Sequence, residues 1–189
     1  MKLLVTTVLS TGLLVALATD QLCPQTGDSK DPDHQQMDLL KNRTTTSKKI
    51  NKSITLEKIL QPGDDTDRFK STDYAQITGY VYEVKWGGSE TCNCHTTDKS
   101  NLDIHIELVK DLNGASNQKA MIVEITRYSM GTYTFDQIKA LKGKQVQIKG
   151  WMFFDEEHIQ NAVNTNPNGS FLWRATCWEI HPCQLIKQI

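Results

Sequence analysis

The stretch Leu102–Val109 reads LDIHIELV, and apolar and polar side chains alternate along it. Because successive side chains of a β-strand point to opposite faces, this alternation predicts a strand with two chemically different faces. The apolar face, which we expect to pack in a core, consists of Leu102, Ile104, Ile106 and Leu108. The opposite face carries Asp103, His105 and Glu107.

Four further segments predict strands, because they are rich in β-branched and aromatic residues. They read AQITGYVYEVKW (75–86), AMIVEITR (120–127), QVQIKGWMFF (145–154) and LWRATCWEI (172–180). Between the third and fourth strands, TFDQIKALKGK (134–144) predicts a short helix that begins with a Thr134/Gln137 capping box. The predicted order is β-β-β-α-β-β, a mainly β fold, and Pro182 is expected to end the last strand.

This order resembles the OB-fold, a five-stranded Greek-key barrel, over about residues 74–189, and we place the domain at 73–189. The stretches DIHIEL, VEIT, GWMFFDEEH, NAVNTNP and WRATCWEIHP also resemble a family of exported bacterial proteins with an OB-like domain. That resemblance implies a bacterial origin. In OB-folds, the connections between strands one and two and between strands four and five commonly border the ligand face.

The N-terminus has the features of a signal peptide. Lys2 precedes the apolar run 3–17, and Ala16-Leu17-Ala18 matches a cleavage signal. The run is short for a membrane span, and no second apolar run follows. We therefore expect removal of residues 1–18, a secreted or periplasmic location and no transmembrane segment after cleavage.

Residues 19–72 are polar and poor in aromatic side chains. Chains of this composition bury too little apolar surface to offset the entropy lost on ordering. We therefore predict a disordered linker, with a marginal helix near 53–60.

The chain has five cysteines, and an exported protein meets an oxidising compartment. Cys92, Cys94, Cys177 and Cys183 are the disulfide candidates, which leaves Cys23 unpaired. Four cysteines allow three connectivities, and the sequence does not choose among them. We expect at least one bridge from the Cys92/Cys94 loop to Cys177 or Cys183.

The row Asp103, His105 and Glu107 is a candidate site for a divalent metal ion, with Glu124 on the neighbouring strand. The alternative is a solvated sheet face, on which polar residues alternate without any metal. His95, Asp155 and His158, in the connections that flank the sheet, are candidate contributors to the same site. For Glu179 and His181 near the C-terminus, a structural role is favoured, and His181 is expected to lie far from His158.

The net charge of −1 gives no general excess of basic residues for binding phosphates. The leading functional hypothesis is a ligand-binding module whose partner is a small molecule, a glycan or a nucleic acid. The alternative is a metal-dependent hydrolase, of phosphodiesters for example, that uses the Asp/His/Glu cluster. A purely structural envelope protein is the third hypothesis.

Overall fold

The computed structural model describes residues 23–129, 131 and 133–189. The predicted signal peptide lies outside these residues. No helix among them is both long and apolar enough to cross a membrane.

Five strands close into a barrel, and this confirms the predicted fold class. They are β1 (Tyr74–Trp86), β2 (Ile104–Val109), β3 (Met121–Ile125), β4 (Gln145–Phe154) and β5 (Trp178–Gln188). The strands lie in the order β1-β2-β3-β5-β4, and β4 pairs back with β1. All neighbours are antiparallel except β3 and β5, which are parallel. This closed barrel is compatible with the OB-like fold.

The predicted helix between the third and fourth strands is α3 (Phe135–Lys139). Its capping box is present, because Thr134 accepts a bond from the Gln137 N–H and the Gln137 side chain accepts one from the Thr134 N–H. Ile138 is buried and joins the apolar core that fills the barrel.

The last strand was predicted wrongly. It runs through Pro182 to Gln188, whereas the prediction placed it at 172–180. Proline lacks an N–H and is tolerated in a sheet at irregular positions. Here the pairing of β4 with β5 shifts register around Gly150, which provides such a position. A side chain at Gly150 would collide with Ile180 and the Pro182 carbonyl.

The prediction of a disordered linker is also wrong for residues 23–72, which are ordered against the barrel. Helices α1 (Pro32–Lys41) and α2 (Leu56–Ile59) lie within this segment. Leu56 and Ile59 enter the barrel core. Arg43 donates hydrogen bonds to the carbonyls of Ser71, Met152 and His181, which joins three parts of the chain. The prediction from composition failed because a few residues order this segment through specific long-range contacts.

A disulfide joins Cys23 to Cys94 across 71 positions of the sequence. Cys94 was a predicted disulfide residue, but its partner is the cysteine that was expected to be unpaired. Cys92, Cys177 and Cys183 are buried free thiols. The expected bridge to Cys177 or Cys183 is therefore absent among the described residues, because the ordered N-terminal segment brings Cys23 to the β1–β2 connection.

Candidate functional site

Strands β2 and β3 are buried on both faces. The apolar face lies inside the barrel, and one of the two interpretations of the polar face was a solvated surface. Instead, the β1–β2 connection (87–103), the β4–β5 connection (155–177) and α1 supply side chains that cover it. A cavity of about 280 Å³ remains between these elements. It lies where the OB-fold resemblance placed the ligand face.

Three potential metal ligands converge beneath this cover: Asp103, Glu124 and His181. Their donor atoms all lie within 4.8 Å of one another, and all three residues are buried. His181 Nε2 lies 3.8 Å from Glu124 Oε2 and 4.0 Å from Asp103 Oδ2. It has no hydrogen-bond partner among the described residues.

Glu179 fixes the orientation of the His181 ring. Its Oε2 atom lies 3.1 Å from His181 Nδ1. A carboxylate accepts and does not donate, so this contact places the proton on Nδ1. In the neutral imidazole, the lone pair on Nε2 then faces Asp103 and Glu124. This arrangement matches the carboxylate–histidine pairs that orient metal ligands in proteins.

Arg174 connects this pair to the β4–β5 connection. Its guanidinium is fully buried and donates to Glu179 Oε1 through Nη2 and to Asp155 Oδ2, at 2.6 Å, through Nη1. Asp155 in turn lies 2.5 Å from His158 Nδ1. Burial raises the pKa of Asp155, but the hydrogen bond from His158 and the charge of Arg174 outweigh it and hold the pKa below its usual range. The bond to Asp155 also raises the pKa of His158.

The pKa values of the two carboxyl groups that face His181 Nε2 shift in the opposite direction. Burial raises the pKa of Asp103 to about 6. Burial, followed by the charges of Glu179 and Glu90, raises the pKa of Glu124 well above its usual range. Nearby negative charges disfavour ionisation of a carboxyl group, and a cation would reverse this effect.

His105 lies opposite Glu124 in the β2–β3 register. Its Nδ1 is 3.7 Å from Glu124 Oε1, so the two oxygens of Glu124 face two different histidines. Burial lowers the pKa of His105 well below its usual range, helped by the charges of Lys85 and Arg174. A neutral His105 lines the cavity, and its Nε2 has no partner in the part of the chain that the structure describes.

The ordered N-terminal segment contributes Lys41, at the end of α1. Its Nζ lies 2.8 Å from Glu90 Oε2 and 3.2 Å from Glu157 Oε2. Burial opposes the charge on Lys41, but Glu90 raises the pKa of its ammonium well above the usual value. A segment predicted to be a tether thus places a buried cation at the site.

Of the predicted site residues, the structure brings together Asp103, His105 and Glu124, with Asp155 and His158 at the same cavity. Glu107 is separate, because it accepts a bond from Lys85 at 2.8 Å. His95 is also separate: its imidazole is exposed and lies 3.7 Å from Asp28.

Sequence reasoning missed the roles of Glu179 and His181 in the site. The expectation that His181 lies far from His158 is wrong, since both line the cavity. The error follows from the misplaced last strand: β5 begins at Trp178, so His181 lies near its start, beside β3. The sequence did contain one signal for this arrangement: Glu179 and His181 are two positions apart, so they share one face of a strand.

No protein-family model matches the chain, and no curated protein matches it. The resemblance to exported bacterial OB-like proteins therefore remains a prediction.

Proposed function

We propose that the protein is an exported OB-like module that binds a small polar ligand in the cavity over β2, β3 and β5. The observation that carries this proposal is a partly open cavity lined by two tryptophans and by buried polar groups. Ligand sites typically combine an aromatic or apolar lining with a few polar groups that fix orientation.

Trp173 is the centre of the proposed contact surface. Lys85 Nζ lies 5.4 Å and the Arg174 guanidinium 4.9 Å from its ring centroid. The rings of His105 and His158 lie 6.0 and 5.0 Å away. The indole is thus surrounded by hydrogen-bonding groups, while the second tryptophan, Trp86, lines the same cavity.

The size and charge of the cavity restrict the ligand. A volume of about 280 Å³ is slightly below the range of about 300–1,000 Å³ that is common for small-molecule sites. It therefore suits a single ring rather than a polymer. Glu90, Glu124, Asp155 and Glu179 also line it. These carboxylates disfavour a phosphate and favour hydroxyl or amino groups, so a monosaccharide is the best fit.

The test is a thermal-shift screen of monosaccharides, nucleosides and amino acids in the presence of a chelator. A ligand at about 100 times its Kd stabilises the native state by about 2.7 kcal/mol. We expect a monosaccharide to stabilise the wild type, and Trp173→Ala to abolish the shift. Phe171→Ala is the matched control, because this exposed side chain is two residues away. An equal shift in wild type and Trp173→Ala, or no shift with any compound, contradicts the proposal.

The second candidate function is metal-dependent hydrolysis. The convergence of Asp103, Glu124 and His181 favours it, because such chemistry needs an ion with an open coordination position.

A further inference from the structure

We infer that Asp103, Glu124 and His181 form a binding site for one divalent transition-metal ion at the base of the cavity. This inference goes beyond the proposed function, because metal binding does not depend on any organic ligand.

The three facing atoms are all acceptors when the imidazole is neutral and the carboxyl groups are ionised. Glu179 accepts the proton of His181 Nδ1, so Nε2 of the neutral ring presents a lone pair. Ionised Asp103 and Glu124 present only lone pairs as well. Three acceptors that face one another in a buried site repel unless a proton or a cation lies between them.

The second ring nitrogen of His181, Nε2, has no hydrogen-bond partner within the described residues. His181 is 1% exposed. Buried polar atoms in native proteins nearly always have a partner. An ion on this nitrogen would supply one, and the carboxylates at 3.8 and 4.0 Å are placed to share it.

The three donor atoms are close enough to share one ion if the side chains move together around it. Zn²⁺ lies about 2.0–2.2 Å from nitrogen and oxygen ligands, so two ligands of a tetrahedral ion are about 3.4 Å apart. His181 Nε2 lies 3.8 Å from Glu124 Oε2 and 4.0 Å from Asp103 Oδ2, and all three donor atoms lie within 4.8 Å of one another. An ion bound here would therefore draw the three side chains closer together.

The charges of the cluster are also unbalanced. Five carboxyl groups lie in and around the cavity, and they are Glu90, Asp103, Glu124, Asp155 and Glu179. Lys41 and Arg174 supply two positive charges, whereas Lys85, which also lines the cavity, is paired with Glu107 outside this group. When all five carboxyl groups are ionised, three negative charges are uncompensated, and protonated His158, bonded to Asp155, reduces them to two. One divalent ion would neutralise these two charges.

The ligand set selects the class of metal. Imidazole with carboxylates suits Zn²⁺ and neighbouring transition ions. Ca²⁺ takes six to eight oxygen ligands, and Mg²⁺ also prefers oxygen, so both fit poorly. Three protein ligands leave one position of a four-coordinate ion open. Because Glu124 and His181 also line the cavity, an ion held by them would lie beside the proposed ligand.

The test is calorimetric titration of chelator-treated protein with Zn²⁺, checked by elemental analysis after dialysis. We expect one Zn²⁺ per chain and much weaker binding of Ca²⁺ and Mg²⁺. Asp103→Asn and Glu124→Gln should each reduce Zn²⁺ affinity by more than the roughly 10–100-fold that loss of an outer-shell partner typically causes.

Glu107→Gln is the matched control. Glu107 is a buried carboxylate on the same strand face as Asp103, but it bonds Lys85 and lies outside the three-residue group. It should leave Zn²⁺ affinity within about twofold, because substitutions without shared partners act nearly independently. Absence of binding by the folded wild type, or equal losses in Glu107→Gln and Glu124→Gln, overturns the inference. If Asp103→Asn does not fold, the comparison of Glu124→Gln with Glu107→Gln decides. The titration contains no organic ligand and the ligand screen contains chelator, so either proposal can fail while the other holds.

Discussion

Glu179 Oε2 lies 3.1 Å from His181 Nδ1, and both residues are almost fully buried. Residues i and i+2 of a strand share a face, so the backbone of β5 itself sets this pair. The contact leaves Nε2 directed at Asp103 and Glu124. The donor set proposed for the metal therefore depends on a residue that is not a ligand.

The first prediction concerns this orienting contact. Glu179→Gln should reduce Zn²⁺ affinity about 10–100-fold, the typical effect of losing an outer-shell carboxylate. The reason is that a neutral amide weakens the hold on the Nδ1 proton and lowers the basicity of Nε2. Competition titration against a chromophoric chelator measures the change. Glu157→Gln is the control, because Glu157 is a more exposed carboxylate that bonds Lys41. Unchanged affinity in Glu179→Gln would show that His181 needs no such orientation.

The second prediction concerns pH and Asp103. Its pKa is raised to about 6 in the folded state, above an unfolded value of about 3.9. The folded protein therefore holds this proton more tightly than the unfolded chain. The resulting stability is fully present below pH of about 4 and is lost as pH rises through about 6. The effect is of the order of 3 kcal/mol at most.

Urea unfolding at several pH values, in the presence of a chelator, checks this prediction. Asp103→Asn cannot ionise, so between about pH 4 and 6 it should gain stability relative to the wild type. Asp67→Asn, at an exposed carboxylate, should follow the wild-type curve. Parallel curves for wild type and Asp103→Asn would contradict the raised pKa.

The barrel could be predicted from sequence because its signals are local. Alternation in residues 102–109 and 120–127 determines β2 and β3, and the adjacency of these strands places His105 opposite Glu124. The remaining parts of the site come from distant contacts. β5 reaches β3 through a parallel pairing of two residue pairs, so no local pattern shows that His181 approaches Glu124.

The ordered structure of residues 23–72 could not be predicted from the sequence for a related reason. Its composition is that of a tether, and few of its residues carry the contacts. Arg43 bonds three carbonyls, Lys41 enters the site and Cys23 forms the disulfide. Contacts of this kind depend on the tertiary fold, and the average hydropathy of a segment does not predict them.

The third prediction concerns the disulfide. Cys23→Ser with Cys94→Ser should lower the free energy of unfolding by about 2–5 kcal/mol, because the bridge closes a long loop and restricts the unfolded chain. Denaturant unfolding with and without a reductant measures this. The reductant should destabilise the wild type and leave the double variant unchanged. Alkylation of unfolded, non-reduced protein should modify three cysteines, which are Cys92, Cys177 and Cys183. Modification of five would contradict the bridge.

The fourth prediction compares a buried and an exposed ion pair. Arg174 is fully buried between Asp155 and Glu179. Removing one partner from a buried ion pair leaves an uncompensated charge and typically costs about 3–5 kcal/mol. Arg174→Met keeps much of the side-chain volume, so the loss should reflect charge rather than a cavity. Lys142→Met is the matched control, because Lys142 pairs with Glu83 on the surface, where such pairs contribute about 0–1 kcal/mol.

Urea unfolding at neutral pH, with a chelator present, measures the free energy of unfolding of both variants under the same conditions. The loss in Arg174→Met should exceed that in Lys142→Met by at least about 2 kcal/mol. Arg174→Met should also weaken Zn²⁺ binding, because Glu179 loses the guanidinium that holds its second oxygen. Lys142→Met should leave Zn²⁺ binding intact. Equal and small losses in the two variants would mean that water reaches Asp155 and Glu179, and that the acidic cluster is not enclosed.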